Sequence, residues 1–235
     1  KTYVVYGKTN TTAVNLSNLQ SSGAGYAFGP TAGGSGYAIG NAGDVNGDGL
    51  ADTILGAANS FSPSNQGIAY VGFGNSAGAS SSGFAITGLT NSELAGWSAA
   101  GAGDVNGDGL ADLVVGSFNG LSYVVFGKTG TANVDLPSLA GGTSTGGFAI
   151  YLSPDRKDTS GYSSSYAGDL NGDGLADVLV ASGLADPAGL TDAGKVYVVY
   201  GKTGNNAVLL TDIAAGSGGF VINGPEAGSA LGGNS

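Results

Sequence analysis

The chain has no cysteine, no histidine and no methionine among its 235 residues. Without cysteine there can be no disulfide framework, no thiolate nucleophile and no zinc–sulfur site. Without histidine the usual general base is missing as well, and together these two absences remove most hydrolase schemes. The lack of methionine leaves no initiator, so the expected molecule is a processed product or a portion of a longer polypeptide. Charge is sparse, at 10% of residues. No run of 18 or more apolar residues and no signal-peptide pattern occurs, so no membrane insertion is expected.

What the chain has in excess is glycine, 47 residues of it. With an apolar fraction of 41%, too high for disorder, this composition suits tight turns and closely packed sheets, and the length suits one all-β domain. The formal net charge of −10 argues against nucleic acid or an anionic membrane as partner. That charge is unevenly distributed, because nine of the 17 acids fall in three copies of one nine-residue loop.

The copies run Asp44-Val-Asn-Gly-Asp-Gly-Leu-Ala-Asp52, Asp104-Val-Asn-Gly-Asp-Gly-Leu-Ala-Asp112 and Asp169-Leu-Asn-Gly-Asp-Gly-Leu-Ala-Asp177. Two carboxylates about 4 Å apart repel by roughly 4 kcal/mol at an effective dielectric near 20, so a cation is expected among them. Oxygen-only donors at alternating positions fit a hard cation, and a flexible loop suits Ca²⁺ better than strictly octahedral Mg²⁺. Counting the first aspartate as position 1, the side-chain ligands of the first site are Asp44, Asn46, Asp48 and Asp52. Leu50, at position 7, offers its carbonyl. The second set is Asp104, Asn106, Asp108, Leu110 and Asp112, and the third is Asp169, Asn171, Asp173, Leu175 and Asp177. An EF-hand begins in the same way but needs a glutamate at position 12, where this chain has Leu55, Val115 and Val180. A metal-free Asn-Gly-Asp-Gly turn would have no evident need of a third carboxylate at position 9. Three bound Ca²⁺ would bring the net charge to about −4, and such weak Ca²⁺ modules belong outside cells, so a secreted or cell-surface location is expected.

The repetition extends beyond the loops. Four apolar runs recur with each loop, in units of about 60 residues separated by Gly- and Ser-rich turns. The first, such as Gly96-Trp-Ser-Ala-Ala100, enters the loop, and the second, such as Leu113-Val-Val-Gly116, leaves it. The third is typified by Ser122-Tyr-Val-Val-Phe-Gly127 and the fourth by Gly147-Phe-Ala-Ile150. Four short strands per unit read as four-stranded antiparallel blades of a β-propeller. The expected division is a partial blade 1–35, blades 36–95, 96–160 and 161–224, and a truncated blade start 225–235. About three and a half blades would expose edges and apolar faces, so further blades from the same longer chain or from another copy are expected to complete a ring.

The strand, Gly-Asp-hydrophobic-Asn-Gly-Asp-Gly-x-x-Asp loop, strand, and later strand ending in Phe-Gly (Phe73-Gly74, Phe126-Gly127) resemble the FG-GAP repeats of the integrin α-subunit propeller and its bacterial relatives. The resemblance spans roughly residues 3–235. It implies a seven-bladed ring with Ca²⁺ loops on one face and ligands met on the other. The Gly-Ala-Pro element is degraded to Gly56-Ala-Ala58, Gly116-Ser-Phe118 and Ala181-Ser-Gly183. Loss of the proline favours a bacterial secreted or surface protein over a direct integrin orthologue.

Eight acids lie outside the loops (Glu93, Asp135, Asp155, Asp158, Asp186, Asp192, Asp212 and Glu226), scattered singly among turn residues. They offer no carboxylate pair for glycoside cleavage. The Asp155-Arg-Lys-Asp158 stretch reads as a self-compensating loop tip. Trp97 and the 11 tyrosines read as packing residues of the strands, with sugar stacking as the alternative. The expected function is that of a Ca²⁺-binding, non-catalytic extracellular propeller for adhesion or for protein or glycan interaction. The alternatives are an accessory propeller of a larger secreted enzyme and a subunit of a polymeric sheath, layer or filament.

Overall fold

The computed structural model describes residues 2–29, 36–58, 67–74, 82–88, 94–118, 120–142, 144–151 and 160–233. Strands β1 (Thr2–Val5) and β2 (Gly25–Phe28) form an antiparallel pair. The first complete sheet follows, with β3 (Ala38–Gly43), β4 (Asp52–Ala57), β5 (Ile68–Gly72) and β6 (Gly83–Thr87). The second holds β7 (Ser98–Gly103), β8 (Asp112–Gly116) and β9 (Leu121–Val125); β10 (Val134–Asp135) and α1 (Leu136–Ala140) then intervene before β11 (Gly147–Tyr151). The third repeats the pattern with β12 (Ser160–Gly168), β13 (Asp177–Ser182), β14 (Lys195–Val199), β15 (Val208–Leu209), α2 (Leu210–Ala214) and β16 (Gly219–Asn223). The architecture is all-β: antiparallel four-stranded sheets in sequential order, packed on one another as propeller blades are, without closing a ring.

One feature differs from the expected four strands per unit. After leaving β9, the chain crosses to the preceding sheet, where β10 pairs in parallel with β6, Val134 opposite Ile86 and Asp135 opposite Thr87. It then makes the single turn of α1 and returns to its own sheet as β11. The next unit does the same, β15 pairing with β11 through Val208 opposite Ile150 and Leu209 opposite Tyr151. Each of the first two complete sheets therefore carries a fifth strand lent by its successor. Two-residue strands and five-residue helices are too short to produce a periodic apolar pattern, which is why the sequence does not display them.

The strand sequences explain the stacking. Leu113-Val114-Val115 of β8 is apolar without alternation, and both of its faces are buried. Leu113 and Val115 join Ile54, Val71, Phe73, Ile86, Tyr123, Leu136 and Leu139 in the core between the first and second sheets. Val114 turns the other way, to Phe148, Ile150, Val178, Val180, Tyr197, Leu210 and Ile213 between the second and third. A smaller core of Tyr26, Phe28 and Leu55 seats the N-terminal pair against the first sheet. The first strands of the sheets, β3, β7 and β12, lie beside one another. That approach needs glycine: a Cβ on Gly101 would come within 2.7 Å of the Asn41 carbonyl oxygen.

Truncating Phe148, which is fully buried between the second and third sheets, should cost about 3–5 kcal/mol. The matching Phe220 of β16 is 40% exposed, so Phe220→Ala should cost less than half as much. Chemical denaturation of the two variants checks this difference.

Candidate metal centres

Each loop begins at a bulge. The antiparallel register slips between Asn41 and Gly43, between Gly101 and Gly103, and between Tyr166 and Gly168. The glycine that ends each first strand takes a positive φ, from 72° to 84°, which an L side chain rarely adopts. The chain is thereby turned out of the sheet and into the acidic stretch.

The three loops then fold alike. At position 1, Asp44 Oδ1 accepts the amides of Gly47 (2.7 Å) and Asp48 (3.0 Å), and Oδ2 accepts that of Gly49 (2.8 Å). Asp104 and Asp169 accept the amides at the same positions, Gly107, Asp108, Gly109 and Gly172, Asp173, Gly174, at 2.7–3.1 Å. At position 3, Asn46 Oδ1 accepts the Asp48 amide (2.9 Å) and its Nδ2 donates to Asp48 Oδ2 (3.0 Å). At position 5, Asp48 Oδ1 accepts the Leu50 amide (2.8 Å), and the other two loops repeat all three of these contacts. Positions 1, 3 and 5 are thus gathered at the tip of every loop, with position 5 exposed in all three and positions 1 and 3 half-buried in the first two loops and exposed in the third.

Position 9 behaves differently. Asp52, Asp112 and Asp177 are buried at the start of the second strand. Asp52 Oδ2 accepts the Val45 amide (2.8 Å) and Oδ1 accepts the amide of Gly74 (2.6 Å), the glycine after Phe73. Asp112 accepts from Val105 (2.7 Å), Asn106 (3.3 Å) and Gly127 (2.8 Å), and Asp177 accepts from Leu170 (2.7 Å) and Gly201 (2.9 Å). This carboxylate therefore fastens the loop to the end of the third strand. Contrary to the expectation from the sequence, position 9 thus has a structural role without a metal. The glycine is needed for close approach, since a Cβ on Gly127 would lie 2.7 Å from the Ala111 carbonyl oxygen and 2.9 Å from that of Val45.

The loops also join sheet to sheet. The Asp44 carbonyl accepts the Ala111 amide (3.0 Å) and the Val45 carbonyl accepts the Lys128 amide (2.8 Å), both from the next sheet. One repeat later, Asp104 and Val105 accept in the same way from Ala176 (2.8 Å) and Lys202 (2.9 Å). The Lys128 ammonium sits 4.2 Å from the centre of the Phe84 ring and donates to the Ala132 carbonyl. Lys202 holds the matching place over Phe148, also at 4.2 Å, and donates to Asn206. Burial lowers the pKa of both lysines.

The groups that face Asp52 and Asp112 are backbone amides and the other carboxylates of their own loops. Among the described residues, no three acidic side chains converge as a ready-made metal cage. Burial raises the Asp52 pKa, and the nearby Asp48 and Asp44 add to the rise against two backbone hydrogen bonds. The same causes push Asp112 up to about 7, burial again being the largest. The donor chemistry itself fits a hard cation: carboxylate, amide and carbonyl oxygens, with no nitrogen or sulfur ligand.

Of the other acids, Asp186 accepts the Asp192 amide (2.7 Å) as a turn residue, Asp135 lies in β10 and Asp212 in α2. Glu93 and the Asp155–Asp158 stretch fall outside the described residues. The Trp97 ring packs between Tyr37 (5.2 Å) and Phe118 (5.0 Å).

The raised pKa sets a pH dependence for the protein in chelator. Between pH 3.8 and about 7 folded Asp112 keeps a proton that the unfolded chain releases, so stability falls as pH rises through this window and levels off above it. Asp112 contributes on the order of 4 kcal/mol to that fall. Urea melts from pH 4 to 8 should show it, and Asp112→Asn should flatten it.

The FG-GAP repeat family matches two segments, residues 95–125 and 161–199. The first spans β7, the second loop, β8 and β9; the second spans all but the first residue of β12, the third loop, β13 and β14. No curated protein matches the chain. The matched segments make up under a third of the 235 residues, and they support the FG-GAP family for the two repeats that carry these loops.

Proposed function

We propose that the chain is part of a non-catalytic, Ca²⁺-binding β-propeller that mediates interactions outside the cell. The observation that carries the reading is the threefold recurrence of one acidic loop geometry, in which backbone amides converge on the carboxylate of position 1. Three carboxylates in nine residues repel one another, and a divalent cation relieves that repulsion where the loop hydrogen bonds only distribute it. Asp44, Asn46, Asp48 and Asp52, with the Leu50 carbonyl, would hold the first ion. Asp104, Asn106, Asp108, Asp112 and Leu110 would hold the second, and Asp169, Asn171, Asp173, Asp177 and Leu175 the third. When bound, the cation supplies charge neutralisation and cross-linking, with no reaction step.

The interaction role rests on the FG-GAP matches and on the shape of the sheets. The acidic loops crowd one end of the stack. The Tyr37, Trp97 and Phe118 cluster lies near the entry of the first strands, at the other end, and Tyr37 and Phe118 are exposed there. Partly exposed aromatic side chains suit a protein or glycan ligand. Further sheets of the same kind would complete a ring, seven being the number the FG-GAP resemblance implies. A non-catalytic role accords with a sequence lacking histidine and cysteine.

Calcium titration followed by thermal melting tests the reading. At free Ca²⁺ of 100 times its dissociation constant, each site adds about 2.7 kcal/mol, so EDTA should lower the melting temperature markedly. Elemental analysis should return three calcium ions per chain. Unchanged melting in EDTA together with metal-free protein would refute the cation role.

A further inference from the structure

Neighbouring acidic loops are built against one another, and in the same way at both joints between complete sheets. The carbonyl of position 1 in one loop, Asp44 or Asp104, accepts the amide of position 8 in the next, Ala111 (3.0 Å) or Ala176 (2.8 Å). The leucine of position 7 leans on the glycine of position 4 in the loop before it. A Cβ on Gly47 would come within 3.0 Å of Leu110 Cδ2, and one on Gly107 within 2.9 Å of Leu175 Cδ2. The bulge glycine that opens each loop meets position 8 of the next: a Cβ on Gly43 would fall 2.6 Å from that of Ala111, and one on Gly103 2.8 Å from that of Ala176.

A single peptide unit carries each link. The Leu110 carbonyl is the position 7 donor of the second candidate centre. The N–H of the same planar unit, that of Ala111, is the one donated to Asp44, whose carboxylate belongs to the first centre. The unit of Leu175 and Ala176 stands in the same way between the third centre and Asp104 of the second. A carbonyl polarised by a cation makes its own peptide N–H a stronger donor, and a rigid plane fixed at one end is fixed at the other. Both effects steady position 1 of the preceding loop.

Charge acts with the opposite sign. An ion in one loop cancels part of the negative field that draws an ion to the next, so the Coulomb interaction by itself makes neighbouring centres compete. Salt separates the two effects, because at 1 M the screening length falls to about 3 Å while a hydrogen bond and a packed contact persist.

We propose that the three loops bind Ca²⁺ cooperatively, each occupied loop raising the affinity of the loops beside it through these peptide units. Linkage makes the effect reciprocal within a pair, and it passes between the first and third loops only through the second. The proposal rests on the cation reading of the loops, and it makes the row of sheets, rather than the single loop, the unit that responds to Ca²⁺.

A Ca²⁺ titration of the full chain, followed through the amide resonances of Gly49, Gly109 and Gly174 at position 6 of the loops, tests it. With charge screened by 1 M NaCl, the three signals should shift together with a Hill coefficient above 1. Asp173→Ala, which removes a ligand of the third centre at an exposed position, should weaken the second centre at least about fivefold and the first by less. Leu175→Ala keeps the position 7 carbonyl but removes the side chain that leans on Gly107, and should lower the Hill coefficient with all three ions still bound. If Asp173→Ala loses the native amide spectrum in chelator, the wild-type Hill coefficient decides alone. Three ions binding independently, or a second centre unmoved or tightened in folded Asp173→Ala, would overturn the coupling and leave the cation reading standing. A wild-type chain that takes up no Ca²⁺ would overturn both.

Discussion

A buried carboxylate accepting two or more backbone amides is the constraint on which the molecule is organised. In every repeat the last aspartate of the loop lies at the start of the second strand, with one oxygen on the loop and the other on the glycine just beyond the third strand. These amides would otherwise be left without partners in a poorly solvated place, at a cost of about 1–3 kcal/mol each. The carboxylate in turn carries a desolvation penalty, which the amides only partly offset; the rise of the Asp112 pKa is its measure. The Phe-Gly pair thus has a mechanical meaning. Phenylalanine packs on the fourth strand at about 6 Å between ring centres, and glycine lets the amide reach the aspartate.

The same loop passes the constraint from sheet to sheet. With its carboxylates turned inward on the loop and the third strand, it presents the carbonyls of positions 1 and 2 to the following repeat, which answers with an alanine amide and a lysine amide. That lysine continues to the fourth strand of the preceding sheet, and the chain after it adds the parallel fifth strand. Hydrogen bonds at the loop end and apolar burial along the strand faces therefore fix the same neighbour relation. The proposed ion would draw positions 1, 3 and 5 toward a position 9 that the fold already holds, and so stiffen the loop.

How much of this could be read from the sequence varies with distance along the chain. The Asn-Gly-Asp-Gly turns and the β-branched runs beside them are local signals, and every strand expected from them among the described residues is present. The un-alternated Leu113-Val114-Val115 announces burial on both faces. Local spacing cannot show that Asp52 answers an amide 22 residues away, or that Val45 reaches Lys128 in another repeat. The recurrence of lysine directly after Phe-Gly or Tyr-Gly at Lys8, Lys128 and Lys202 was a usable signal of that joint. The two-residue strands β10 and β15 gave none, because their pairing partner belongs to the preceding unit.

Amide hydrogen exchange of the native protein, resolved at single residues, tests the central interaction most directly. The account predicts that Gly127 and Gly201, though they lie beyond the ends of their strands, exchange as slowly as Val124 and Val198 in mid-strand. Exchange at the rate of the exposed turn glycines Gly130 and Gly204 would contradict it.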